Sequence, residues 1–247
     1  MNVIVDGVIY QLQSNGGISR LYNEILPRMC DIDQSIRITL LTSGRLKQPV
    51  PKHQRICQRG IPAMEGQLFL GPLWNSIVPR VKRILYRLRI GYGKGKIWHS
   101  TYYTLPGKWK GMQVITVVDM IHERFANLFN GPGHEWFREQ KRKCVLSADA
   151  VLCISETTRQ EVQVFYDIDI GKIRVIPLAY SDVFKPLASA DCTLLSPIAK
   201  PFLLYVGSRA RYKNFDGLLS AYSSWAGRKE VDLVIVGESW TADEEQY

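Results

Sequence analysis

Short runs of β-branched and apolar residues alternate with segments of helical periodicity through most of this 247-residue chain. Each run has the length of a buried strand. The runs of the first two thirds are NVIVDGV, IRITLLTSG, KIWHSTYY, QVITVVDMI, AVLCISE and IRVIPLAY. Strands that alternate with helices form parallel, doubly wound sheets, so the sequence predicts an α/β fold. One of these helices is predicted to begin near Thr157, with Thr158 and Glu161 spaced as a capping box.

A break in this alternation divides the chain. Residues 181–201 contain three prolines and show no sustained period, which is typical of an interdomain connection. The strand FLLYVG then starts a new unit, and a helix and a second strand, VDLVIVG, follow it. We therefore predict a first domain over residues 1–180, a connection over 181–200 and a second domain over 201–247.

The basic charge of the chain lies in its first part. Residues 1–180 carry 25 Lys and Arg against 14 Asp and Glu, whereas residues 181–247 carry 7 against 9. A surface with this charge attracts anions such as nucleic acid, anionic lipid or a phosphorylated substrate. No RNA-binding strand signature or recognition-helix pattern accompanies the charge, so we expect no nucleic-acid partner.

The chain has no apolar run long enough to span a bilayer, and its first residues do not read as a signal peptide. We expect a cytoplasmic protein.

The five cysteines of the chain are widely scattered and never form Cys-x-x-Cys, which indicates reduced, mostly buried thiols and no zinc site. They are Cys30, Cys57, Cys144, Cys153 and Cys192.

Residues 79–96 carry seven Lys and Arg and no acidic residue. Val81, Ile84, Leu85 and Leu88 fall on one face of a helix over this segment. The favoured interpretation is a surface helix that packs on the sheet and presents a solvated cationic face. The alternative is peripheral contact with an anionic surface, here the inner face of the cell membrane or a lipid diphosphate.

A glycine turn with cations follows the strand FLLYVG. Gly207 allows close backbone approach, Arg209 can form a two-pronged bond to phosphate oxygens, and Lys213 adds a charge near the next helix start. The turn lacks the Gly-Lys-Ser/Thr of a Walker A loop and the Gly-x-Gly-x-x-Gly of dinucleotide folds. It is a candidate anion site, or alternatively an ordinary turn with solvated cations.

Three ionisable side chains and a glycine pair lie at predicted strand ends of the first domain. His99, Asp119 and His122 come where strands end, at the edge at which open α/β sheets bind ligands. They are candidates for acid–base work, although His99 could be structural and Asp119 could cap a helix. Gly16 and Gly17 precede a helix, where amide groups could face a ligand or simply form a flexible turn.

An ordered set of segments resembles the family-4 glycosyltransferases, especially mannosyltransferase-like members of bacterial polysaccharide clusters such as those for O-antigen and lipopolysaccharide. The segments are NGGISRLYNEIL, VVDMIHERF, SADAVLCISETTRQEV, IRVIPLAYSDVFKP and FLLYVGSRARYKNFDGLLSAY. The resemblance implies a GT-B-like fold with a complete N-terminal Rossmann-like parallel-sheet domain and the first part of a second Rossmann-like domain.

The resemblance also implies roles for both domains. The first would bind a lipid-linked or saccharide acceptor, and the second a GDP- or UDP-linked nucleotide sugar, with retention of configuration and no metal or cofactor. Gly16 and Gly17 match the family's N-terminal glycine loop. Arg209 and Lys213 match the pair that holds the donor diphosphate, next to Gly207.

The sequence departs from the family pattern at two places. Val118 stands where a histidine is usual, so His122 is a candidate substitute, and the Glu-x7-Glu stretch that grips the donor has no counterpart. We expect a hexosyltransferase, with mannose as one candidate sugar. The alternative is a truncated, non-catalytic remnant, or an acceptor-binding half that needs another chain.

Overall fold

The computed structural model describes residues 1–14, 16–61, 84, 88, 90–186, 200–237 and 240. Cys192, most of the predicted connection and half of residues 79–96, including Val81 and Leu85, therefore lie outside the described residues. The chain forms two units. The first comprises Met1–Arg124 and Asn130–Ser181, and the second comprises Phe125–Phe129 and Asp182–Tyr247. The segment Phe125–Phe129, which lies within the predicted first domain, thus groups with the second unit.

A seven-stranded sheet forms the centre of the first unit, and every pair of neighbouring strands in it is parallel. The strands are β1 (Asn2–Asp6), β2 (Arg37–Ser43), β3 (Ile56–Ile61), β4 (Lys96–Ser100), β5 (Met112–Val117), β6 (Ala150–Cys153) and β7 (Ile173–Val175). Their order is β3-β2-β1-β4-β5-β6-β7. The predicted parallel, doubly wound α/β fold is confirmed.

Strand β3 was absent from the sequence prediction. It lies at one end of the sheet and exposes Cys57, Gln58, Arg59 and Gly60, so it has no apolar run to identify it. An edge strand with one paired side and little buried surface carries only a weak sequence signal.

Five helices of the first unit have described bounds, and Ile84, Leu88 and Ile90 are also helical. The five helices are α1 (Ile9–Leu12), α2 (Gly17–Ile32), α3 (Ile121–Arg124), α4 (Pro132–Ser147) and α5 (Glu156–Tyr166). The start of α5 at Glu156 agrees with the predicted start near Thr157, but the predicted capping box of Thr158 and Glu161 is wrong. Ser155 is the N-cap, and its side-chain oxygen accepts from Thr158 N at 3.1 Å. Glu161 pairs instead with Arg124 at 2.6 Å.

Helix α2 packs its apolar stripe against the sheet. Tyr22 and Leu26 are fully buried among residues of β1 and β2, and Ile18, Ile25 and Met29 pack around them. Burial of side chains of this size stabilises the fold by roughly 1.5–3 kcal/mol each. A second cluster joins β5 and β6 to α4 and α5. The helices thereby fix the sheet edge from which the candidate site is built.

The second unit contains a parallel βαβ motif. Strand β8 (Phe202–Val206) pairs with β9 (Asp232–Val236), and α6 (Phe215–Ser224) lies between them in the sequence. Helix α6 buries Phe215 and Leu219. The apolar strand residues remain open to solvent, with Leu204 56% and Val206 68% exposed. Short 3-10 helices occur at Arg211–Lys213 and Ala226–Lys229 in this unit, and at Ile170–Lys172 in the first unit.

The described cysteines are all free thiols. Cys30, Cys144 and Cys153 are buried, and Cys57 is exposed on β3. Within the part of the chain that the structure describes, no helix is both long and apolar enough to cross a bilayer.

Candidate functional site

The order of the central sheet reverses between β1 and β4. In parallel sheets with this order, ligands bind outside the carboxyl ends of the strands at the reversal. The three strands that end there are β1 at Asp6, β4 at Ser100 and β5 at Val117. Loops that follow these ends carry most of the candidate residues of the first unit.

His99 lies in β4 and is only 6% exposed. Its Nε2 is 3.0 Å from Oγ1 of Thr116 in β5, and the Tyr22 ring meets it edge-on with ring centroids 5.6 Å apart. Burial lowers the pKa of His99 to about 4, so the imidazole is neutral near pH 7. Its contacts join β4, β5 and α2.

Asp6 holds the loop that follows β4, although sequence analysis did not single it out. Its carboxylate accepts from Thr101 N at 2.9 Å and from the hydroxyls of Thr101 and Thr104. Burial raises the pKa of Asp6, and these hydrogen bonds oppose the rise. Within this loop Tyr103 adopts a left-handed backbone conformation with φ 54°. The Asp6 contacts hold the loop that carries both Tyr102 and Tyr103.

Asp119 and His122 lie on the loop and short helix that follow β5. The carboxylate of Asp119 accepts from Ile121 N at 3.2 Å, which is the capping contact considered as its alternative role. The His122 ring contacts the Phe137 ring at a tilt of 53°, with centroids 4.6 Å apart. Burial, and then the charge of Lys141, lower the pKa of His122.

A buried ion pair fixes the backbone of this loop. The side chain of Lys141 is 1% exposed, and its Nζ donates to Asp119 O at 2.7 Å and to Glu123 Oε2 at 2.8 Å. Tyr166 donates its hydroxyl proton to the other Glu123 oxygen at 2.6 Å, and burial together with this bond raises the pKa of Tyr166. The Lys141 ammonium also lies 5.4 Å from the ring centre of Tyr103. A buried lysine requires such partners, because an unpaired buried charge is costly.

These loops enclose a cavity of about 50 Å³. Its walls combine aromatic rings with a carboxylate, an imidazole and an ammonium group. The lining residues are Ile18, Tyr102, Tyr103, Val118, Asp119, His122, Phe137 and Lys141. A space of this size with a few polar groups in its wall can hold water or a hydroxyl group of a ligand. Asp119 and His122 are thus brought together, whereas His99 is not among the lining residues.

The aromatic residues of the cavity wall and Lys141 were not predicted from the sequence. The dipeptide Tyr102-Tyr103 directly after a strand was a local signal that could have identified two of these residues. Phe137 and Lys141 carried no such signal, because both lie within an ordinary helix, α4, and their partners are distant in the sequence.

The glycine pair forms the start of α2, beside Ile18 in the sequence. Ser19 N donates to Oε1 of Gln13 at 3.1 Å, and the Ser19 hydroxyl donates to Gly16 O at 3.1 Å. A Cβ at Gly17 would meet nothing within 4 Å, so the space beside it is open. The Ser19 amide therefore already has a hydrogen-bond partner in Gln13, whereas no side chain or backbone atom blocks the space beside Gly17.

In the second unit, the cations follow β8 as the sequence indicates. Gly207 has φ 134°, a backbone conformation that favours glycine, and its N–H donates to Val236 O at 2.9 Å. The Arg209 guanidinium lies over the rings of Phe215 and Trp240. Lys213 ends a 3-10 turn, and its Nζ lies 5.3 Å from the ring centre of Tyr212.

The ring of Tyr212 also contacts Phe129, with centroids 5.7 Å apart, and lies 6.5 Å from Phe125. These contacts account for the grouping of Phe125–Phe129 with the second unit.

Across the described ranges, no three His, Cys, Asp or Glu side chains are arranged to hold a metal ion.

Comparison with protein families identifies the first unit. Residues 15–181 match the model of Glycosyltransferase Family 4. The chain belongs to glycosyltransferase family 4. The match includes the glycine pair, the β5 loop and the cavity residues described above. Comparison with curated proteins gave no significant match.

The fold of this family-4 chain is similar to that of sucrose-phosphate synthase from Thermosynechococcus elongatus, with TM-score 0.68 and 18% identity. The match covers 99% of this chain and 65% of the synthase, so the chain spans about two thirds of the synthase's length. Both units have the Rossmann-like parallel arrangement of the GT-B fold.

Two further solved structures are similar at a lower level. A glycosyltransferase from Rickettsia africae has TM-score 0.49 and 14% identity, covering 95% of this chain and 68% of the other. A transferase from Siraitia grosvenorii in complex with UDP has TM-score 0.48 and 10% identity, covering 96% and 73%. At these TM-scores neither match adds to the fold assignment.

Proposed function

We propose that this protein takes part in glycosyl transfer as a retaining hexosyltransferase. It would move a sugar from a nucleoside-diphosphate sugar to a saccharide or lipid-linked acceptor. The observation that carries the proposal is the placement of Arg209 and Lys213 on the turn after β8, in a chain whose first unit belongs to family 4. Gly207 supplies the positive-φ backbone that such a turn uses.

In this proposal the cations act on the leaving group. Cleavage of the bond between sugar and phosphate builds negative charge on the departing nucleoside diphosphate. Arg209 and Lys213 would stabilise that charge through charge-assisted hydrogen bonds, each contributing roughly 1.5–3 kcal/mol. No metal ion or cofactor is required for this step, because the two side chains supply the positive charge.

The cavity of the first unit would receive hydroxyl groups of the bound sugars. The Asp119 carboxylate can accept hydrogen bonds from them, and the His122 imidazole can donate or accept. His122 lies four residues beyond Val118 and lines the same cavity, which supports it as the substitute for the family histidine. Gly16 and Gly17 would admit a ligand beside α2. The catalytic role predicted for His99 stays a prediction, and its burial favours a role in holding β4 against β5.

The finer assignments belong to the same proposal. The resemblance of the sequence motifs supports mannose from GDP-mannose as the donor, a cytoplasmic site of action, and a role in O-antigen or lipopolysaccharide synthesis.

Peripheral membrane contact through residues 79–96 has one supporting observation. Ile84 and Leu88 are helical and exposed, as expected for an apolar face that can meet a lipid surface.

Removal of the two cations tests the proposal. We expect Arg209→Ala/Lys213→Ala to lower kcat/KM for transfer or hydrolysis of a UDP- or GDP-sugar by about 10²- to 10⁴-fold, because two charge-assisted contacts are lost. Arg228→Ala/Lys229→Ala is the matched control, since it removes two exposed cations from the same unit. Thermal unfolding should be similar in both variants. Wild-type turnover in the first variant would exclude the proposed role.

A second candidate function is favoured by the exposed apolar residues of β8. With Leu204 and Val206 open to solvent, the second unit could require a further polypeptide before it holds a donor. The chain alone would then bind the acceptor only. A thermal-shift screen discriminates the two, because stabilisation by UDP- or GDP-sugars supports the first function and stabilisation by saccharides alone supports the second.

A further inference from the structure

Arg209 contacts two aromatic rings at once. Its guanidinium carbon lies 5.2 Å from the ring centre of Trp240 and 5.8 Å from that of Phe215, and the two ring centres are 6.4 Å apart. Both distances fall within the roughly 6 Å range of cation–π attraction. The guanidinium therefore lies in the angle between two rings rather than over one.

The two rings come from different elements. Phe215 is the first residue of α6, is only 2% exposed and contacts the Tyr205 ring at 5.0 Å. Trp240 follows β9 and is 46% exposed. Phe215 is thus a fixed part of the core, and Trp240 covers Arg209 from the solvent side of the unit.

Arg209 and Trp240 follow two paired strands whose ends are in close backbone contact. A Cβ at Gly237 would lie 2.4 Å from Gly207 O, so the turns after β8 and β9 touch at two glycines. Arg209 lies two residues beyond the first glycine, and Trp240 lies three residues beyond the second. The pairing of β8 with β9 therefore starts both segments at the same edge of the two-stranded sheet.

Such contacts prepare an arginine for an anion. A free arginine side chain has about 2 kcal/mol of rotamer entropy to lose on binding. Rings that stack on the guanidinium restrict its rotamers before a ligand arrives. Because its N–H donors lie in the plane of the group, stacking on its face is compatible with in-plane hydrogen bonds to phosphate oxygens.

We propose that Trp240 is a positioning residue that, together with Phe215, holds Arg209 in the orientation that receives a diphosphate. This inference rests on the proposed function for the role of Arg209 and extends it to the turn after β9. Trp240 acts through Arg209 and therefore affects recognition of the diphosphate, whichever base or sugar is attached.

Binding of inorganic pyrophosphate tests the inference, because this probe lacks both base and sugar. We expect Trp240→Leu to raise the Kd about three- to tenfold, as expected for loss of one ring contact, and Trp240→Phe to stay within about twofold of wild type. Trp225→Leu is the matched control, since Trp225 is a similarly exposed indole of the same unit. It should leave the Kd unchanged.

A ligand-free measurement reports the orientation of Arg209 directly. Ring currents should shift the Arg209 Hε resonance upfield in wild type, and Trp240→Leu should reverse most of that shift. The resonance is assigned with Arg209→Lys. An unchanged resonance in Trp240→Leu overturns the inference even if affinity falls, because Trp240 would then act through the fold of the unit.

The outcomes also separate the inference from the proposed function. Pyrophosphate binding that depends on Trp240, in a protein that transfers no sugar, supports the inference and contradicts the function. Sugar transfer that is unaffected by Trp240→Leu supports the function and overturns the inference. Failure of the wild-type protein to bind pyrophosphate also overturns the inference.

Discussion

His99 and His122 lie at the ends of neighbouring strands but differ in their surroundings. His99 is enclosed by β4, β5 and α2, whereas His122 lines a cavity and contacts Phe137. Both were candidates because the sequence predicts each of them where a strand ends. Elements that are distant in the sequence bury His99 more deeply than His122. Because the folded protein disfavours the charged form of His99, protonation of this side chain opposes folding.

Stability should depend on pH through His99. The unfolded chain takes up this proton near pH 6.5, and the folded protein only near pH 4. Between these values the unfolded state binds more protons, so the free energy of unfolding falls as pH decreases, by on the order of 3 kcal/mol in total. His99→Gln removes this titration and should flatten the profile measured by urea unfolding between pH 7 and 4.

Asp6 contributes to the same profile with the opposite sign. Its raised pKa means that the folded state binds more protons just above pH 3.8, so this contribution decreases as pH rises. Asp6 is common to the wild-type protein and the His99→Gln variant, so the difference between their profiles isolates His99. Parallel profiles would show that His99 is not buried as a neutral group.

At the scale of elements, the loop after β5 depends on helix α4. Lys141 reaches from the middle of α4 to the carbonyl of Asp119 and the carboxylate of Glu123. Asp119 and Lys141 are 22 residues apart, and no local pattern links them. The position of the candidate catalytic groups is therefore set by helix packing as well as by the strand that precedes them.

Loss of the buried lysine should be costly. Lys141→Met leaves Glu123 buried without its cation, and we expect the free energy of unfolding to fall by about 3–5 kcal/mol. Lys143→Met is the matched control on the same helix, because the Lys143–Glu139 pair is exposed and spans 3.3 Å. It should cost no more than about 1 kcal/mol. Similar losses in the two variants, measured by urea unfolding, would contradict a special role for the buried pair.

At the scale of the whole molecule, the two units differ in how well they bury their strands. Strands of the first unit are covered by helices and include the fully buried Val5, Leu40 and Val117. Strand β8 exposes Leu204 and Val206, which lie on the same face because they are two residues apart. Among the described residues β8 pairs only with β9, and an exposed apolar face beside an unpaired strand edge favours association.

Charge on this face should reduce association of the chain. We expect Leu204→Lys/Val206→Lys to lower the average mass measured by light scattering at high protein concentration. Ile32→Lys/Val164→Lys is the control, since it places the same charges at exposed apolar positions of the first unit, 86% and 80% exposed. An equal decrease in both variants would indicate a general effect of charge rather than association through β8.

Much of the fold could be predicted from the sequence. The alternation of apolar runs with helical segments determined the parallel α/β class, and the position of Gly207, Arg209 and Lys213 determined a cationic turn after a strand. Local conformational preference and side-chain periodicity act over a few residues, so these features can be predicted from a single sequence. Edge strand β3 was not predicted, because it buries too little surface to show an alternation of apolar and polar residues.

Contacts between distant segments were decided only by the tertiary structure. Strand order placed the Asp6 carboxylate against Thr101, 95 residues away, and helix packing placed Lys141 beneath the β5 loop. Strand pairing placed Gly207 beside Gly237, and the Trp240 ring lies against Arg209. No local rule specifies such pairs, because each depends on the simultaneous burial of several elements whose spacing in the sequence is arbitrary.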